Sequence, residues 1–175
     1  QGYIQTTPIQ LCLMTAQIAN GGYKIYPNIF MGDNEKNEPK DKFTQLFQSS
    51  TNIKIVQDAM FGSTNEVMGT SYRSRIDDPI YQFAGKTGTS QVKRITERER
   101  ELDLKTFEIP YEERDHALYV AFGPYKSPRY ALSVVVEHGG NGSTTAAPMA
   151  KKLFKLIIDR HSIRESIKKD RYMDT

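Results

Sequence analysis

The sequence predicts an α+β fold in which helices are separated along the chain from a run of antiparallel strands. Three observations lead there. Two capped helical patterns come first, one at Thr7-Pro8-Ile9-Gln10 and one starting at Ser50 or Thr51. Strand-like runs follow at Phe83 to Val92, Ala117 to Phe122 and Arg129 to Glu137. The last two are joined only by Gly123-Pro124-Tyr125-Lys126-Ser127-Pro128, a link too short for a parallel crossover.

Taken in order, Thr7 reads as an N-cap, Pro8 as the first helical residue and Gln10 as the partner that completes a capping box. This helix should run to about Ala19 and stop at Asn20-Gly21-Gly22, whose glycines accept left-handed backbone. Ile9, Leu11, Cys12, Leu13, Met14, Ala16, Ile18 and Ala19 leave a thin polar stripe, so most of its surface is expected to be covered. Tyr23 to Phe30 has strand character interrupted by Pro27, which suits a short edge piece, and Gly32 to Lys42 is charged and loop-like.

The second helix should end at Gly62, with Ile53, Val56, Met60 and Phe61 facing inward. Thr70 or Ser71 is placed to cap a short turn of helix through Ile76. After the first strand, residues 93–116 form a charged excursion with Pro110 inside it and room for one helical stretch. His138 to Ser143 is an exit loop, and a last helix is expected from Thr144 or Thr145 to Arg160, with Ala147, Ala150, Phe154, Ile157 and Ile158 inward. Residues 162–175 read as a charged, solvated tail.

A chain of 175 residues with 38% hydrophobic content is of single-domain size, and it has no internal repeat. The net charge of +3 comes from interleaved cations and anions, so a nucleic-acid role has no electrostatic footprint. Cys12 has no cysteine partner and lies in an apolar run, where a buried, inert thiol is expected. No apolar run approaches membrane-spanning length, and Gln1-Gly2-Tyr3-Ile4 has neither the basic start nor the apolar stretch of a secretory signal.

The chemistry concentrates in Phe83-Ala84-Gly85-Lys86-Thr87-Gly88-Thr89-Ser90-Gln91-Val92. Within four positions, Lys86, Thr87, Gly88 and Thr89 supply an ammonium, two hydroxyls and a residue without a side chain. A carboxylate lying along such a strand meets both charge and hydrogen-bond donors. The tripeptide alone also suits a lysine-bearing turn between surface strands.

Other constellations are weaker. Gly139 to Ser143 joins a strand to a helix but has Ser143 where a phosphate loop needs lysine, so it reads as a connector. His116, His138 and His161 are far apart in sequence, with no carboxylate or cysteine at ligand spacing, so neither metal nor cofactor is expected. Ser-x-x-Lys occurs at Ser90-Gln91-Val92-Lys93 and Ser166-Ile167-Lys168-Lys169, and Ser-x-Asn at Ser50-Thr51-Asn52 and Ser63-Thr64-Asn65. A serine activated by lysine belongs at a helix start with the amine one turn on; Ser90 is in a strand and Ser166 in the charged tail, so all four read as accidents of composition.

Gln1 to Gln10, Ala84 to Val92, and Ala121-Phe122-Gly123-Pro124 with Glu137-His138-Gly139-Gly140 together resemble the C-terminal half of the transpeptidase domain of class B penicillin-binding proteins. Among these, the likeness is to the elongation-specific peptidoglycan D,D-transpeptidases. The resemblance implies the penicillin-binding and serine β-lactamase-like fold, an antiparallel sheet with helices on its faces. It implies that Lys86 sets the electrostatics around a serine nucleophile and the substrate carboxylate, and that Thr87 and Thr89 hydrogen-bond the carboxylate of a D-alanyl stem peptide or a β-lactam. The Thr89 N–H would form half of an oxyanion hole, and Gly88 would keep the strand clear for the ligand.

In that family Ser-x-x-Lys and Ser-x-Asn precede the segment matching Gln1-Gly2-Tyr3. The resemblance therefore implies that residues 1–175 are a partial domain, inactive without an upstream half that carries the acylated serine. It further implies an open hydrogen-bonding edge at the last strand, uncovered apolar helix faces, and an isolated chain that is prone to aggregation or needs the upstream half to fold. Partners implied are peptidoglycan stem peptides, β-lactams and membrane proteins of the elongation complex, at the periplasmic face of the inner membrane. An alternative from the charge pattern makes residues 93–116 a non-catalytic contact module for cell-wall assembly proteins, and an unrelated carboxylate-binding domain is a third reading.

Overall fold

The computed structural model describes residues 4–29, 44–93 and 104–173, with side chains described as far as residue 163 in the last segment. The expected loop at Gly32 to Lys42 and the middle of the excursion lie outside these residues. The elements are α1 (Pro8–Ala19), α2 (Ser50–Asn65), β1 (Ala84–Ser90), β2 (His116–Gly123), β3 (Tyr130–Val136) and α3 (Ala147–Met173). The order of two helices, three strands and a helix is as the sequence predicts.

The capping box forms as read: Thr7 Oγ1 accepts from the Gln10 N–H at 3.3 Å, and the Thr7 N–H donates to Gln10 Oε1 at 2.8 Å. Gly21 and Gly22, at φ of 91° and 89°, end the helix. It is covered less than expected. Among the residues of α1 only Thr15 is buried, while Ile9 and Met14 are 55% and 45% exposed. The helix lies over one face of β2 and β3, where Cys12 Sγ is 3.4 Å from the Ala131 carbonyl, and an apolar helix docked on one side keeps its other side open.

Tyr23 to Phe30 makes no strand among the described residues. A single antiparallel bridge pairs Tyr23 with Gln45, and Pro27 has no N–H to extend a ladder. Ser49 caps α2 through the Asn52 N–H. The helix passes Gly62 and ends at Asn65, because a glycine stops a helix only where its backbone turns left-handed, and Gly62 does not. Ile53 and Met60 are buried and Phe61 is half-buried, but Val56 is 41% exposed, contrary to its expected inward position.

The three strands form one antiparallel sheet in the order β1-β2-β3. Alternation along β2 divides the core. Ala117, Tyr119 and Ala121 pack with Phe83, Leu132 and the α3 residues Ala147, Ala150 and Phe154, and Phe83 stacks on Phe154 at 5.0 Å. On the other face Phe122 and Ala84 pack with Met60 of α2. Helices therefore cover both faces, and among the described residues β3 has no strand on its outer side, leaving the expected open edge.

A π-helical turn at Gly142–Ala146, capped by Asn141, precedes α3, so the regular helix starts at Ala147, later than Thr144 or Thr145. It also continues to Met173 instead of ending at Arg160. Ile158 is buried and Ile157 half-buried, as expected. In the described part of the excursion, 3-10 turns at Thr106–Glu108 and Tyr111–Glu113 stand in place of one longer helical stretch.

Candidate active site

β1 sets Lys86, Thr87, Gly88 and Thr89 opposite Val120, Tyr119, Leu118 and Ala117 of β2. Pleating puts Lys86 and Gly88 on the face of Val120 and Leu118, toward α1 and α2. β1 is an edge strand of the sheet, so alternate N–H groups of β1 point away from β2. The four residues that the sequence singles out thus share one edge strand, with Lys86 exposed and Thr87, Gly88 and Thr89 half-buried.

Lys86 is exposed and opens onto a groove of about 750 Å³ between α1, α2 and the sheet. Its walls are mostly apolar, with Met14, Ile18, Val56, Met60 and Val120, and its polar rim includes Ser63, Glu66 and Thr70. Lys86 Nζ donates to the Thr87 carbonyl at 2.9 Å and to Thr87 Oγ1 at 3.3 Å. Thr70 Oγ1 lies 3.4 Å from Thr87 Oγ1, and Ser63 Oγ lies 3.2 Å from Thr70 Oγ1. An ammonium and a chain of hydroxyls therefore stand at the mouth of an apolar groove, an arrangement suited to holding an anionic group of an otherwise apolar ligand.

The strand is braced from beneath. A Cβ on Gly85 would sit 2.3 Å from the Tyr119 hydroxyl, so the missing side chain lets the buried tyrosine reach α2 and the loop after it. There its hydroxyl lies 2.9 Å from Thr64 Oγ1 and 3.0 Å from Ser71 Oγ, and Ser71 Oγ also donates to the Ser63 carbonyl at 3.0 Å. Burial holds the Tyr119 hydroxyl above its ordinary pKa, while the bonds from Ser71 and Thr64 oppose that rise. Ser71 does not cap the 3-10 turn at Tyr72–Ser74; its hydroxyl is used in this network instead.

Gly142 supports β1 in a similar way, since a Cβ there would lie 2.6 Å from the Gly88 carbonyl oxygen. At Gly88 itself a Cβ would meet only Leu118 Cβ, at 3.3 Å, so that face of the strand is open.

Of the serine motifs, Ser63-Thr64-Asn65 alone among the described residues reaches the groove, through Ser63. Asn65 Nδ2 donates to the carbonyls of Phe61 and Phe83, at 3.0 and 2.9 Å, fastening α2 to the start of β1. Ser90 is the last residue of β1, and Lys93 is bridged to Glu113. His116 and His138, distant in sequence, come together: the His138 N–H donates to His116 Nδ1 at 2.9 Å, with ring centroids 4.9 Å apart. Among the described residues no group of three His, Cys, Asp or Glu side chains is arranged to hold a metal ion. Ser63, read from sequence as part of an accidental Ser-x-Asn, stands at the groove after all, and Thr70 and Tyr119 join it there because only the fold brings them to β1.

A family profile described as the penicillin binding protein transpeptidase domain matches residues 1–155. The chain is similar to peptidoglycan D,D-transpeptidase MrdA of Salmonella typhimurium, at 33% identity over 165 residues, covering 91% of this chain and 26% of that protein. Among solved structures, it is similar to Pseudomonas aeruginosa PBP2 in complex with WCK 5153, with a TM-score of 0.70, 33% identity, and coverage of 89% of this chain and 31% of that one. It is also similar to Helicobacter pylori PBP2 in its complex with MreC, with a TM-score of 0.70, 30% identity, and coverage of 91% and 26%. The chain thus spans about a quarter of the curated relatives it matches.

Proposed function

This chain belongs to the penicillin-binding protein transpeptidase family, and from that premise we propose that it forms the Lys-Thr-Gly wall of a peptidoglycan D,D-transpeptidase site. The observation that carries this reading is the opening of Lys86 onto the groove beside Thr70 and Thr87. In it, Thr87 and Thr89 hydrogen-bond the terminal carboxylate of a D-alanyl stem peptide, Lys86 supplies positive potential, and Gly88 leaves the strand face clear. Residues 1–175 act as part of a transpeptidase domain whose serine nucleophile comes from upstream sequence.

That serine attacks the carbonyl carbon of the penultimate D-alanine, giving up its proton to a base. The electron pair shifted to the carbonyl oxygen is stabilised by the Thr89 N–H and a second donor. Collapse expels the terminal D-alanine as a protonated amine and leaves an acyl-serine. The amine of a second stem peptide then displaces the serine and forms the cross-link. A penicillin enters the same path through its lactam carbonyl, with its carboxylate on Thr87 and Thr89.

A fluorescent penicillin tests this. The full-length protein should be labelled covalently, and the isolated chain should not. A label mapped to any serine between residues 1 and 175 would overturn the placement of the nucleophile, and an unlabelled full-length protein would overturn the function.

A second reading makes residues 93–116 a contact module of the elongation machinery, on the strength of their charge pattern; the similar Helicobacter pylori PBP2 is one that forms a complex with MreC. Deleting those residues should then abolish recruitment of a comparable partner while penicillin labelling persists. Work at the periplasmic face of the inner membrane belongs to the same proposal; among the described residues no helix is long and apolar enough to cross a membrane.

A further inference from the structure

We propose that Thr70 is a positioning residue, the middle link of a directed hydroxyl chain from Ser63 through Thr70 to Thr87 that aims the Thr87 proton at a ligand carboxylate. This rests on the assignment of Thr87 to that carboxylate. A hydroxyl offers one proton and two lone pairs. The Lys86 ammonium has no acceptor capacity, so its 3.3 Å contact with Thr87 Oγ1 occupies one lone pair. If Thr70, 3.4 Å away, took the Thr87 proton, none would remain for a ligand.

Thr70 instead donates and fills the second lone pair, leaving the Thr87 proton one direction in which to point. Ser63 Oγ, 3.2 Å from Thr70 Oγ1, supplies the proton that Thr70 accepts. The Ser63 and Thr70 contacts are longer than a fully formed hydroxyl bond. They tighten when an anion draws the terminal proton, because hydrogen bonds in series polarise one another. Ser63 is held on α2 and Thr70 in the loop that Ser71 anchors to the Ser63 carbonyl, so the chain is fixed by elements outside β1.

The test measures acylation of the full-length protein by a fluorescent penicillin as a function of concentration. Thr70→Val keeps the shape of an exposed side chain and removes its hydroxyl. It should raise the concentration for half-maximal rate about three- to tenfold, the effect of one hydrogen bond, and leave the limiting rate within about twofold. Thr70→Ser should restore binding, and Ser63→Ala should weaken it in the same direction but less.

The methyl ester of the same penicillin, which lacks the anion, should acylate T70V and wild type alike. Equal losses with acid and ester, no change with either, or failure of T70S to rescue would overturn the chain. If T70V does not fold, S63A with the acid and ester pair decides the matter alone. A wild-type protein that no penicillin labels refutes the transpeptidase function itself, whereas a labelled wild type indifferent to these substitutions refutes only the role of Thr70.

Discussion

The hydroxyl of Tyr119 lies 2.9 Å from Oγ1 of Thr64, and it reaches that position only because residue 85 carries no side chain. The bond ties β2 to α2 through the gap that Gly85 leaves in the neighbouring strand, the one that carries Lys86. Gly85→Ala would force the buried ring aside and should destabilise the domain by about 1–3 kcal/mol. Tyr119→Phe leaves the buried Thr64 and Ser71 hydroxyls short of a partner, at about 1–3 kcal/mol. Thermal midpoints of the full-length variants measure both, and an unchanged midpoint for Gly85→Ala would refute the close contact.

Lys86→Ala is expected to slow penicillin acylation by about 100-fold or more, the scale of losing a preorganised electrostatic group from a site. The residue is exposed and packs against no core, so the thermal midpoint should move little. Stopped labelling reactions give the rate. A normal rate would remove Lys86 from the chemistry.

Phe154 joins α3 to the sheet, fully buried and stacked on Phe83 at 5.0 Å. Phe154→Ala should cost about 3–5 kcal/mol through lost burial and the cavity left behind. The effect should appear in denaturant unfolding of the full-length protein, with the α3 amides losing exchange protection.

These residues also show what the sequence could convey. Thr7, Pro8 and Gln10 announced α1 because capping is local chemistry, and the six-residue link after Phe122 announced the hairpin because chain length limits topology. Phe154 and Ala150 were legible from helical spacing, and the strand that carries Lys86 from its residue pattern. Coverage was not legible: Met14 and Val56 satisfy an apolar pattern, but whether such a face is covered depends on neighbours that the pattern does not name. Gly62 looks like a helix stop and is not one, because a glycine permits a left-handed turn without imposing it. Thr70 is seventeen residues before Thr87, and nothing in the residues between signals that their hydroxyls meet.

The turn after β2 provides a pH-dependent clamp. Tyr125 donates its hydroxyl proton to Asp58 of α2, Lys54 Nζ donates to the same tyrosine oxygen at 3.1 Å, and Lys54 and Asp58 are paired at 2.8 Å. The bonds from Lys54 and Tyr125 hold the Asp58 carboxyl below its usual range. Those to Asp58 and Tyr125 hold the Lys54 ammonium above its own, and burial followed by the bond to Asp58 raises the Tyr125 hydroxyl. A depressed carboxyl stabilises the fold above its unfolded pKa, and this contribution is lost as pH falls through the folded value. The raised lysine and tyrosine contribute below their unfolded values and lose that contribution as pH rises through their folded ones. The clamp should therefore hold across neutral pH, weaken below the ordinary aspartate range, and weaken again above the ordinary tyrosine and lysine ranges. The Tyr125 amide, which donates to the Gln82 carbonyl at 2.8 Å, is the reporter: its exchange protection should be flat near neutrality and fall in acid. Asp58→Asn should lower the neutral plateau and flatten the acid limb. An acid limb of unchanged slope in that variant would assign the titration to another carboxylate.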